Sequence, residues 1–142
     1  MELCEEMEQA TIKIQVEMKQ EKLKILVVDD VEIIRRNLTE MLNELDGVGP
    51  VLNAGNYMEA LKLLEEERPD VLLLDINLPG KSGVELLRTI KAKNWKLQII
   101  MITNQANEYY KNLCKSLGSH YFFDKSNEFE KIPLAISLIQ LN

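Results

Sequence analysis

Two adjacent carboxylates, Asp29 and Asp30, follow a short apolar run, Leu-Lys-Ile-Leu-Val-Val at 23–28. Like charges side by side are costly unless a cation or a proton offsets them. The pair therefore points to a divalent metal site; a capped helix start is the alternative, because aspartate is also a good N-cap residue. Three more chemistry-bearing residues end later apolar runs: Asp75 after Val71–Leu74, Thr103 after Leu97–Ile102, and Lys125 just beyond Tyr121–Phe123. Together they suit phosphoryl transfer. A carboxylate can act as nucleophile and hold an acyl phosphate. Mg²⁺ takes oxygen ligands and keeps several waters, so it needs few carboxylates. A metal and an ammonium can neutralise the transferred group, and a hydroxyl can bond one of its oxygens.

For these residues to meet, the runs must be neighbouring strands that end on one edge. From residue 23 onward, apolar runs alternate with amphipathic stretches. Ile34, Leu38, Met41, Leu42 and Leu45 recur at helical spacing, and Gly47, Gly49 and Pro50 end that helix. A weak strand follows at Val51–Ala54. Ala60, Leu61, Leu63 and Leu64 mark a second helix closed by Pro69. Further helices are expected from about Ser82 to Lys93 and Asn107 to Leu117. A last helix carries Leu134, Ile136, Leu138 and Ile139, with Pro133 in its first turn. Five strand–helix units whose strands are aliphatic throughout imply an α/β, doubly wound parallel sheet with helices on both faces. Ligands of such sheets bind at the carboxyl ends of the strands.

Composition narrows the function. The chain has 142 residues, 46% hydrophobic, with a formal charge of -6 and a pI near 4.9. That balance argues against a nucleic-acid partner, which needs a basic footprint. No apolar stretch is long enough to span a bilayer, and the acidic start Met-Glu-Leu-Cys-Glu-Glu is no secretory signal. The expected location is cytoplasmic, with Cys4 and Cys114 as free thiols. His120 is the only histidine, so a His/Cys zinc site is not expected; it reads as a surface residue. The charge run Glu65–Arg68 reads as a solvated helix end. Tyr109, Tyr110 and Leu113 read as half-buried packing.

The motifs Ile-Leu-Val-Val-Asp-Asp (25–30), Leu-Leu-Leu-Asp-Ile-Asn-Leu-Pro-Gly (72–80), Met-Ile-Thr (101–103) and Tyr-Phe-Phe-Asp-Lys (121–125) resemble, in order and spacing, the receiver domain of bacterial response regulators. The resemblance covers residues 23–142 and implies a strand order of 2-1-3-4-5. It makes Asp75 the phospho-acceptor. It gives Mg²⁺ the carboxylates of Asp30 and Asp75, a water held by Asp29, and the backbone carbonyl of Asn77. Lys125 would pair with the phosphoryl group, Thr103 would move toward it, and Phe122 would turn inward with that motion. The donor would be a histidine kinase or histidine phosphotransfer protein. The output would be a changed surface around the helix near 107–117, the last strand and the last helix. The resemblance thus implies a stand-alone signalling domain, not an enzyme beyond its own phosphorylation and dephosphorylation.

Two positions depart from the family pattern. Ser126 stands where proline usually follows the lysine, and Asn104 stands where a small residue usually follows the switch hydroxyl. Asn104 and its neighbour Gln105 are thereby expected to modulate access to Asp75. The rival readings are an interaction module that works without phosphorylation and a phosphatase of the haloacid dehalogenase type. The latter requires Asp-x-Asp on the first strand, and position 31 is Val31.

Residues 1–22 lie outside the resemblance. Leu3, Met7, Ala10, Ile14 and Met18 recur at helical steps, while Ile12, Ile14, Val16 and Met18 alternate as in a strand; the helical pattern is the longer. This extension, or the face around the 107–117 helix, is the expected route to a homodimer.

Overall fold

The computed structural model describes residues 2–19 and 22–141, with side chains described over 3–12 and 22–141. Of the apolar stripe read in the extension, Ile14 and Met18 lie outside the described side chains. The extension is the helix α1, Glu2–Lys19. Then come β1 (Leu23–Val28), α2 (Glu32–Asn43), β2 (Val48–Ala54), α3 (Tyr57–Glu67), β3 (Val71–Leu74), α4 (Gly83–Ala92), β4 (Gln98–Thr103), α5 (Glu108–Ser116) and β5 (Tyr121–Asp124). A short 3₁₀ turn, Phe129–Lys131, leads into α6 (Ile132–Gln140), where a proline occupies the first turn.

The five strands are parallel and ordered β2-β1-β3-β4-β5, the expected order. Their aliphatic runs have a physical cause: both faces are covered, so successive residues enter different cores. Leu26, Val28, Leu72, Leu74, Ile99 and Met101 pack with α3, α4 and α5. Ile25, Val27, Val71, Leu73, Ile100 and Ile102 pack with α2 and α6.

Strand β2 begins three residues earlier than expected. Gly49 and Pro50 do not precede the strand; they lie within it. The pairing with β1 slips by one residue between Leu23–Val48 and Ile25–Val51, a bulge. Proline is tolerated in edge strands and bulges, and β2 is an edge strand. Polar side chains cap three helices. Asn56, Ser82 and Asn107 accept from the backbone N–H of Glu59, Glu85 and Tyr110 at 2.9, 3.4 and 3.0 Å, each satisfying one free helical donor.

Candidate functional site

Strand periodicity explains how the acidic pocket assembles. Asp29, Asp75 and Lys125 continue the alternation that carries Val27, Leu73 and Phe123 toward α2 and α6. Asp29 and Asp75 follow the last residues of the neighbouring strands β1 and β3, Lys125 follows β5 beyond β4, and Lys125 Nζ bridges the two carboxylates. It lies 2.6 Å from Asp29 Oδ2 and 2.8 Å from Asp75 Oδ2. Asp29 and Asp75 are buried, at 2% and 5% exposure, whereas Asp30 is exposed. One carboxylate oxygen from each of Asp29, Asp30 and Asp75 lies within 4.8 Å of the others, an arrangement able to hold a cation. The all-oxygen donor set suits Mg²⁺.

The remaining carboxylate bonds are local. Asp29 Oδ1 accepts from Val31 N at 2.9 Å and Asp75 Oδ1 from Asn77 N at 3.2 Å. The helix-cap reading of the pair fails: Val31 is the N-cap of α2 and makes no side-chain cap bond. Asp30 makes no hydrogen bond or ion pair among the described residues. Burial pushes the Asp75 carboxyl above its ordinary pKa, against the pull of Lys125 and Asn77. Burial also opposes the charge on Lys125, but the bonds to Asp29 and Asp75 outweigh it and raise its pKa. Lys125 therefore stays an ammonium.

Thr103 is fully buried at the end of β4, and its Oγ1 accepts from Gln105 N at 3.1 Å. It continues the opposite alternation, on the α3–α5 side. Half-buried Phe122 packs on that same side. Two side-chain bonds cross the rim: Gln105 Nε2 donates to Asn77 Oδ1 at 3.0 Å, and Ser126 Oγ to Asn104 Oδ1 at 3.3 Å. Lys125 reaches the pocket with Ser126 after it and no cis peptide among the described residues.

Other expectations fare unevenly. His120 is exposed, with its Nδ1 accepting from Ile99 N at 3.1 Å. Glu65 and Glu67 make exposed ion pairs with Lys93 and Lys24. Tyr110 and Leu113 pack against the core, but Tyr109 is 69% exposed. The helix turns Tyr109 about 100° away from its neighbour, so only one of the two tyrosines can face inward.

Two site residues escaped the sequence reading. Arg35 Nη1 donates to the backbone oxygen of Asp29 at 2.6 Å and so ties down the loop that carries the acidic pair. It passes beside Gly55, where a Cβ would stand 3.1 Å from Nη1. Gly83, at the start of α4, lies against the Asp75 backbone, and a Cβ there would overlap the Asp75 carbonyl oxygen.

Comparison with known proteins assigns the family. A family model for the response regulator receiver domain matches residues 25–137. The chain is 29% identical over 117 residues to response regulator GacA of Pseudomonas syringae pv. syringae (strain B728a), covering 82% of this chain and 55% of the relative. It is 34% identical over 113 residues to sporulation initiation phosphotransferase F of Bacillus subtilis (strain 168), covering 80% and 90%. It superposes on a LuxR-family two-component response regulator from Aurantimonas sp. SI85-9A1 with a TM-score of 0.78, at 26% identity, covering 84% and 86%. The chain belongs to the response regulator receiver domain family, the receiving module of two-component phosphorelays. It spans about half the length of the GacA relative.

Proposed function

We propose that Asp75 accepts a phosphoryl group from a histidine kinase or histidine phosphotransfer protein. The observation that carries this reading is Lys125 held between Asp29 and Asp75 beside an unpaired, exposed Asp30. In the transfer, a carboxylate oxygen of Asp75 bonds to phosphorus as the donor's P–N bond breaks. The freed imidazole keeps the electron pair. Lys125 gives up Asp75 Oδ2 and pairs with the phosphoryl oxygens. Thr103 Oγ1 only accepts from Gln105, so its own proton is free to donate to one of those oxygens. Phe122 follows Thr103 because both lie on one side of the sheet. Asp30, Asp75 and the Asn77 carbonyl would hold Mg²⁺, with Asp29 orienting a bound water. Bound there, the ion supplies charge neutralisation.

Asn104 and Gln105 gate the entrance through their bonds to Ser126 and Asn77. The output is a changed protein-binding surface around α5, β5 and α6. A groove of about 320 Å³, lined by Asn77, Ser82, Arg88, Tyr109 and Tyr110, links the acceptor loop to α5. The protein works in the cytoplasm as a signalling switch, not as an enzyme acting on other substrates.

The test is intact mass after incubation with Mg²⁺ and a small acyl phosphate or phosphoramidate. One phosphoryl adduct, absent in Asp75→Ala and after chelation of the metal, is the expected result. No adduct from any donor makes the domain an interaction module independent of phosphorylation. Turnover of phosphate esters without a lasting adduct makes it a phosphatase.

A further inference from the structure

Helix α1 leaves an apolar face bare. Every side chain from Leu3 to Ile12 is exposed; Leu3, Met7 and Ile12 are 67%, 62% and 58% exposed. Helices in proteins, such as this one of 18 residues, draw most of their stability from packing an apolar face rather than from propensity. Bare apolar side chains do nothing to hold it, so α1 calls for a partner. It precedes the receiver, whose family match begins at residue 25.

The charges identify that partner. Glu2, Glu5, Glu6 and Glu8 crowd the first half of α1 with no cation among them, while the second half carries Lys13 and Lys19 against a single acid, Glu17. This segregation also suits the helix's own dipole, but that effect fades beyond the first and last turns. It does not account for Glu6, Glu8 and Lys13. A second copy running antiparallel sets each acidic half on a basic half. A parallel copy would set glutamate against glutamate, which is repulsive. Leu3, Met7, Ala10 and Ile14 follow steps of four, three and four, the spacing of a helix-pairing seam.

We propose that α1 pairs antiparallel with α1 of a second copy of this chain, making the protein a dimer. The pairing leaves the pocket open. Helix α1 leads into the amino end of β1, whereas Asp29, Asp75 and Lys125 stand at carboxyl ends of strands. A second bare stripe, Leu134, Leu138 and Leu141 near the end of the chain, is 62%, 43% and 82% exposed. The α6 sequence, Ile-Pro-Leu-Ala-Ile-Ser-Leu-Ile-Gln, carries no charge to meet the α1 glutamates.

Sedimentation velocity on the full chain tests the pairing. The wild type is expected at twice the chain mass. Met7→Glu, which puts a charge into the apolar seam, is expected to raise the dimer dissociation constant at least about tenfold, while Leu138→Glu leaves it unchanged. Glu6→Lys, on the same flank of the seam as Lys13, weakens the dimer, and adding Lys13→Glu restores it. Orientation is read at exposed Cys4. Antiparallel helices keep the two thiols near opposite ends, so a mild oxidant yields no rapid disulfide-linked dimer. A monomeric wild type, a dimer broken by Leu138→Glu but not by Met7→Glu, no restoration in the charge swap, or rapid Cys4 cross-linking overturns the proposal.

Discussion

At the scale of single residues, the pocket concentrates three carboxylates around one ammonium. Asp29 and Asp75 share Lys125, so each is only partly compensated. For Asp75, burial is the largest influence and raises the carboxyl's pKa from its ordinary value. The sign of the linkage follows. Between the unfolded and the raised native pKa, the native state binds more protons than the unfolded chain, so stability falls as pH rises through that window. At neutral pH the Asp75 charge is a net cost of folding. Asp75→Asn keeps the shape; its one amide oxygen serves either Asn77 N or Lys125 but not both, and Lys125 keeps Asp29. Thermal melts in chelator should therefore give a higher Tm for Asp75→Asn than for wild type at neutral pH. The difference should vanish in acid below the carboxylate range. A lower Tm at neutral pH would mean that the bond to Lys125 outweighs burial. The charged members of this cluster were legible in the sequence because each ends or follows an apolar run. Arg35 was not, because it sits on a helix. Its contact with the Asp29 backbone depends on Gly55 leaving space from another loop, and residue type alone does not carry that.

At the scale of elements, alternation along the strands decides which groups cooperate. Asp29, Asp75 and Lys125 fall on the α2–α6 side; Thr103 and Phe122 fall on the other. The sequence made the strands legible because a parallel sheet covered on both faces demands unbroken aliphatic runs. It hid the start of β2, because Gly49 and Pro50 read as breakers unless the bulged edge is known. It also hid Gly83, whose role arises from tertiary proximity. This glycine lets α4 begin directly against the Asp75 backbone, with Gly83 N donating to Ile76 O at 2.8 Å. Propensity alone favours Gly83→Ala, by about 1 kcal/mol. The overlap with the Asp75 carbonyl involves backbone that cannot rotate away, and overpacking of this kind costs about 1–3 kcal/mol. Urea unfolding should show Gly83→Ala destabilised by about that amount, with loss of the acyl-phosphate adduct as Asp75 is displaced. An increase in stability would mean that the loop yields freely.

At the scale of the whole molecule, the sheet separates two hydrophobic cores, and one thiol reports on one of them. Cys114 lies fully buried among the residues between the sheet and α3, α4 and α5. Burial pushes its pKa up to about 11, and the reactive form of a thiol is the thiolate. Cys4 on α1 is exposed. An aromatic disulfide reagent at mildly alkaline pH should thus titrate one thiol per native chain promptly and two in denaturant. The slow reaction of the second thiol requires the core to open, so its rate measures that opening. The opening has to be large. Leu74 and Met101, in the same core as Cys114, belong to β3 and β4, whose ends carry Asp75 and Thr103. Moving those strands apart dismantles the pocket as well. A ligand that binds only the native state suppresses opening in proportion to its saturation, about 100-fold when present at 100 times its dissociation constant. Mg²⁺ added to the wild type should therefore slow Cys114 labelling and leave Cys4 labelling untouched. Labelling of Cys114 that stays constant while Mg²⁺ demonstrably binds would mean that this core opens independently of the site.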